Sequence, residues 1–106
     1  MKAKKAVLSF SQKVWAATKK IPQGKVATYA IIAKMIKSPK SARAVGNALN
    51  ANPFAPVVPC HRVIRSNGSI GGFASGSNKK LVLLTREGIT IVKGKVVPLQ
   101  KYLFIK

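Results

Sequence analysis

Apolar residues recur at helical spacing along the first half of the chain. Ser9 followed by Gln12 has the form of a capping box, in which each side chain takes the other's free backbone N–H. Phe10, Val14, Trp15 and Thr18 then fall on one face of a first helix. Ile21-Pro22-Gln23-Gly24 is a turn by composition and should stop it. Thr28 is placed to cap a second helix, with Tyr29, Ile32, Ala33 and Ile36 along one side. Ser38-Pro39 sets a cap and a first-turn proline at the head of a third, whose inner stripe is Ala42, Val45, Gly46 and Leu49. Two short helices with a tight connection, the second rich in small residues and cations, predict a helix-turn-helix over residues 28–50.

The pattern changes after Asn50-Ala51-Asn52-Pro53. Prolines at 53, 56 and 59 predict an extended run, and glycines at 68, 71, 72 and 76 make residues 65–76 turn-like. Ser77 is a candidate cap for a fourth helix over residues 78–87, with Leu81 and Leu84 inward and Gly88 at a left-handed end. Ile89 to Val97 reads as a hairpin about Lys93-Gly94, and residues 98–106 as a basic tail. The expectation is a mostly α fold: one small helical domain over 1–106, winged-helix-like, with a short C-terminal hairpin.

Composition narrows the partners. At 47% hydrophobic residues, a chain of 106 can build a core. Twenty Lys and Arg stand against one acid, Glu87, for a net charge of +19. Such a surface repels itself and favours a polyanion, with nucleic acid first because its phosphates attract cations at long range. A uniformly basic proteome would also produce the value, without excluding that reading. A lone cysteine makes no intramolecular disulfide and favours a reducing interior. The expected location is therefore cytoplasmic and nucleoid-associated, or nuclear in a eukaryote. One Cys and one His leave no plausible zinc site, so neither metal nor cofactor is expected. Ala6-Val7-Leu8 is too brief for a signal peptide, and no apolar run approaches the ~20 residues of a membrane span.

Candidate chemistry centres on Pro59-Cys60-His61-Arg62-Val63. A thiol is a strong nucleophile only as thiolate, which a nearby imidazole or guanidinium favours. Here the only cysteine, the only histidine and an arginine are consecutive. Adjacent side chains tend to diverge, so a water between thiol and imidazole is the more natural geometry. The plain alternative is a small buried cysteine beside a core histidine. Glu87 falls in the last turn of its helix, where the dipole disfavours an anion. A carboxylate that orients an imidazole, which in turn deprotonates a thiol, is a recurring design; a solvated surface glutamate is the alternative. Arg43 projects from small neighbours on the third helix, which suits a groove, although a lone helical arginine is commonly just solvated. Tyr29 is by default a core aromatic with a wet hydroxyl.

Together these segments resemble the C-terminal domain of the 6-O-alkylguanine-DNA alkyltransferases. The core of the resemblance runs from Asn52-Pro53 through Pro59-Cys60-His61-Arg62-Val63 to Ser66-Asn67-Gly68 and Gly71-Gly72-Phe73. Gly24-Lys25-Val26 with Thr28-Tyr29, Ala42-Arg43-Ala44-Val45-Gly46 and Arg86-Glu87-Gly88 match further blocks in the same order. The resemblance implies an active-site segment over 52–76, with Cys60 as alkyl acceptor and His61 as its base through a water. Glu87 would hold His61, and Asn52 would brace the turn. Tyr29 and the carbonyls of Cys60 and Val63 would bind the flipped guanine, and Phe73, Ala74 and Ser75 would wall the alkyl pocket. Arg43 would enter the base stack, with Ser41, Ala42, Ala44, Gly46 and Arg62 also on the DNA. The implied partner is double-stranded DNA carrying alkylated guanine, approached by a monomer from the minor groove. A thioether has nothing to regenerate the thiol, so each molecule would react once.

Only Met1 to Ser9 precede the shared region, so an additional N-terminal domain carried by many members is nearly absent from this sequence. Two other readings stand beside this one. An alkyltransferase-like protein binds alkylated guanine without transfer, but such proteins usually carry tryptophan where Cys60 stands. A basic architectural nucleic-acid binder accounts for the charge and leaves Cys60, His61 and Glu87 unexplained.

Overall fold

The computed structural model describes residues 9–54, 57–71 and 77–104. Helix α1 (Phe10–Thr18) begins with the expected reciprocal box: the Ser9 hydroxyl accepts from the Gln12 N–H and the Gln12 side chain from the Ser9 N–H. Its inner face is Val14, Ala17 and Thr18, while Phe10 is exposed. Strand β1 (Ala27–Thr28) leads directly into α2 (Tyr29–Met35), and the Thr28 hydroxyl accepts from the Ile31 N–H as its cap.

Helix α3 (Ala42–Asn50) starts later than the Ser38-Pro39 signal implies. The preceding helix is the reason. Lys37 adopts a left-handed conformation (φ 62°), its N–H bonds to the Lys34 carbonyl, and the Ser38 N–H reaches back to Ala33. That is a Schellman closure of α2, which uses Ser38 to end one helix and leaves it unable to start the next. Ser41 holds the position before α3, but its hydroxyl pairs with that of Ser38 rather than with a free N–H of the helix. The α2–α3 unit is the expected helix-turn-helix.

Of the expected extended run, residues 55 and 56 lie outside the described residues; the part after them turns rather than extends. The Val58 N–H bonds to the Phe54 carbonyl, and Cys60–Arg62 forms a 3-10 turn, η1, that runs into strand β2 (Val63–Ile64). Helix α4 (Ser77–Arg86) begins at Ser77, so the position that would cap it lies outside the described residues. Its buried face carries Lys80 and Leu84, whereas Leu81 is 37% exposed, contrary to the expected inward stripe. Glu87 lies just past the helix. Gly88 (φ 88°) and Ile89 bond back to Thr85 and Leu84, closing α4 as the left-handed end requires. The hairpin is β3 (Ile91–Val92) against β4 (Lys95–Val96), turned by Lys93 and Gly94, both at positive φ.

Residues 98–104 do not form a free tail. They carry a short helix, α5 (Leu99–Tyr102), with Tyr102 buried, and Leu103 then pairs with Val26. The Val26 N–H donates to the Tyr102 carbonyl, and the Val26 carbonyl accepts from Phe104.

Two groups of buried side chains result. Val14, Ile32, Val45 and Leu49 gather under α1–α3, and Leu84, Ile89, Val96 and Tyr102 under α4, the hairpin and α5. The parallel β1–β2 pair joins them. Successive side chains on a strand point to opposite faces, so Ala27 and Val63 enter the first group, Val26 and Ile64 the second.

The two leucines of α4 test this packing. Leu84→Ala should lower unfolding free energy by about 2–4 kcal/mol, through lost burial and a residual cavity. Leu81→Ala should lower it by less than ~1 kcal/mol, as expected of a side chain partly in water. Equal losses in urea unfolding would contradict the helix orientation described.

Candidate active site

Cys60 opens the 3-10 turn because its N–H bonds to the Val58 carbonyl while the Val63 N–H returns to its own carbonyl. The turn is braced by Asn52, whose Nδ2 donates to the Val58 carbonyl at 3.0 Å while its Oδ1 accepts from the Phe54 N–H at 2.9 Å. One side chain thus clips both ends of the loop that delivers the thiol. Cys60 itself is half-buried and free of disulfide.

His61 points into the protein, 6% exposed, with Nε2 2.9 Å from Glu87 Oε2. An ionised carboxylate only accepts, so Nε2 carries a hydrogen, and the lone pair of the ring in its neutral form is then on Nδ1. Arg62 turns the same way. Its Nε lies 2.9 and 3.1 Å from the two Glu87 oxygens, its Nη2 2.7 Å from Oε2, and its Nη1 donates to the Ile21 carbonyl at 2.8 Å. The guanidinium expected on DNA is therefore engaged inside the molecule. Burial pushes the Glu87 carboxyl up, but the hydrogen bonds from Arg62 and His61 and the charge of both outweigh it and hold the group below the usual carboxylate range.

Tyr29, the first residue of α2, packs over α3 at Gly46, where an added Cβ would sit 3.7 Å from Cε1. Burial raises its hydroxyl pKa, Arg65 opposes the rise and Cys60 adds to it, which puts the phenol within electrostatic reach of the thiol. Tyr29 directly follows β1 and Arg65 directly follows β2, and the two strands pair in parallel up to Thr28 and Ile64.

Arg43 and Ala44 are exposed on α3, with Ala42 half-buried, so this helix presents an arginine flanked by small residues. Phe73, Ala74 and Ser75 lie outside the described residues.

Two participants were not anticipated. Lys80 is 1% exposed and donates from Nζ to the Val63 carbonyl at 2.7 Å, the oxygen the family resemblance assigns to a guanine amino group. Burial is the main cause that moves its pKa down to about 8, Cys60 opposing and Arg65 reinforcing the shift. Its place one turn before Leu84 was the available signal, overridden by the habit of reading lysine as surface. Arg65 was the other omission.

Residues 9–89 match the family described as 6-O-methylguanine DNA methyltransferase, DNA binding domain. A methylated-DNA–protein-cysteine methyltransferase of Methanosarcina acetivorans is 54% identical over 79 residues, 74% of this chain and 51% of that protein. The bifunctional transcriptional activator and DNA repair enzyme Ada of Escherichia coli is 43% identical over 79 residues, 74% of this chain and 22% of its own length. Among solved structures, Schizosaccharomyces pombe Atl1 bound to damaged DNA containing O6-carboxymethylguanine aligns with a TM-score of 0.84 at 35% identity, covering 92% of this chain and 95% of Atl1. Mycobacterium tuberculosis OGT in complex with DNA aligns at 0.72 and 45% identity, covering 77% of this chain and 51% of OGT. The chain spans about half the length of the methyltransferases it matches.

Glu87 is the only acidic side chain, so its linkage to pH is directly readable. A carboxyl depressed in the folded state contributes stability that is complete above the unfolded value, about 4.3, and is lost as pH falls through the folded one. Thermal melts between about pH 6 and 2 should show the wild type losing stability on acidification, and Glu87→Gln a flatter limb. Parallel limbs would remove Glu87 as the titrating group.

Proposed function

Because the chain belongs to the 6-O-methylguanine DNA methyltransferase family, we propose that it repairs alkylated guanine in double-stranded DNA by taking the alkyl group onto Cys60, once per molecule. The observation that carries this reading is the arrangement on one turn: the only thiol, followed by an imidazole whose Nε2 is held by the only acidic side chain.

The damaged base lies inside the duplex and must be flipped, which costs roughly a few kcal/mol. Arg43 is the wedge that fills the gap, and Tyr29 receives the flipped base beside Cys60. The Cys60 proton passes through a water to Nδ1 of His61, which Glu87 holds in the right tautomer. The sulfur then attacks the alkyl carbon: a C–S bond forms, the C–O bond to guanine breaks, and its electron pair leaves with the base, which takes up a proton. The other exposed cations contact phosphate, which makes affinity strongly salt-dependent. The protein acts as a monomer from the minor groove, in the cytoplasm at the nucleoid, or in the nucleus of a eukaryote.

Recognition without transfer is the second reading, favoured by the near-complete overlap with Atl1. The free thiol of Cys60 speaks for transfer.

Intact mass after incubation with a duplex containing O6-methylguanine should rise by one methylene unit, saturating at one per molecule, and Cys60→Ala should abolish the gain while retaining DNA binding. Tight binding with unchanged wild-type mass would establish the second reading. For the wedge, Arg43→Ala should slow transfer about tenfold or more on duplex and much less on single strands, where less unstacking is needed. Equal slowing on both substrates would remove Arg43 from that role.

A further inference from the structure

Arg62 adjoins the thiol and the imidazole, yet the chemistry above leaves it without a part. Its side chain is 17% exposed, and it shares with His61 a single carboxylate oxygen, Glu87 Oε2, at 2.7 Å and 2.9 Å respectively. We propose that Arg62 is a positioning residue that occupies Glu87 alongside His61 and so keeps the imidazole neutral and able to take the Cys60 proton. The proposal rests on the reading of Cys60 as the alkyl acceptor.

A carboxylate alone beside an imidazole favours the imidazolium, which has no lone pair left to accept a proton. A guanidinium does not deprotonate in proteins, so Arg62 offsets the Glu87 charge at every working pH. Protonating His61 then sets a second cation beside the first, in a half-buried site where charges are weakly screened. The chain holds no other acidic side chain to compensate it. Other charged or titratable groups lie on the elements around the site. Cys60 and Arg62 share the turn with His61, Glu87 follows α4, Lys80 lies on α4, Tyr29 begins α2 and Arg65 follows β2, with Tyr29 and Lys80 each feeling Cys60 and Arg65. Geometry adds to charge. The Arg62 fork holds the carboxylate from two nitrogens and anchors to the Ile21 carbonyl, which fixes the oxygen that His61 faces.

The test uses Arg62→Met, Arg62→Lys, Glu87→Gln and the Arg62→Met/Glu87→Gln double variant, with two readouts. One is the rate of Cys60 alkylation by iodoacetamide without DNA, followed from about pH 5.5 to 9.5; the other is methyl transfer from O6-methylguanine duplex over the same range. In Arg62→Met the acid limb of both profiles should move up by about one pH unit, with rates meeting the wild type's at the alkaline end. Arg62→Lys, which keeps the charge without the fork, should lie between and holds the test open if the methionine variant does not fold. In the Glu87→Gln background the Arg62 substitution should shift the limb by less, because only the direct repulsion between guanidinium and imidazolium is left to remove. A loss of the same factor at every pH, or an unchanged profile, overturns the assignment. If iodoacetamide profiles shift as described while the wild type takes no methyl group from DNA, the substrate reading fails and the role of Arg62 stands.

Discussion

The site is organised around one carboxylate. Glu87 accepts from His61 and from two nitrogens of Arg62, and the Gly24 N–H approaches its Oε1 at 3.5 Å. Three segments distant in sequence meet there: the turn after α1, the 3-10 turn with Cys60 and the end of α4. The position is intrinsically poor for an anion, since the carbonyl end of a helix carries partial negative charge. Two cation-capable donors outweigh that repulsion and the cost of burial, which is why the carboxyl is held below its usual range. Removing one partner of a buried pair typically costs about 3–5 kcal/mol, because the other is left uncompensated. The anion is thus both a structural tie and the orienter of the base.

The second constraint is the two-residue β1–β2 pair. It is too short to be stable alone, yet it sets what neighbours what. Tyr29 follows β1 and the Cys60 turn precedes β2, so parallel pairing brings the phenol, Arg65 and the thiol into one electrostatic neighbourhood. The alternation of Ala27 and Val63 against Val26 and Ile64 attaches that neighbourhood to both groups of buried side chains.

Much of this was legible in the sequence. Signals carried by local backbone chemistry transferred directly: the Ser9 and Gln12 box, the Thr28 cap, the left-handed Gly88 and the Lys93-Gly94 turn. Ser38 misled because a serine able to start a helix also serves to finish one, and only the Lys37 conformation decides between them. The β1–β2 pair left no periodic trace, since two residues cannot display alternation. Cys60, His61 and Glu87 stood out because each residue type occurs once in the chain, and the structure brings His61 and Glu87 into direct contact. Lys80 and the inward turn of Arg62 stayed hidden, because cations are abundant here and burial of any one depends on tertiary partners.

The pairing of Val26 with Tyr102 and Phe104 has a consequence for the order of events in synthesis. Val26 is fully buried, and its two backbone groups find partners only in residues near the other end of the sequence. On a ribosome, where the N-terminal part emerges first, those groups must wait in water until the last helix is released. The α1–α3 helices can gather earlier through local contacts, which form fastest. Closure of the second group of side chains is therefore a late, long-range event, and a nascent chain stalled before Leu99 would hold a helix-turn-helix without its clasp.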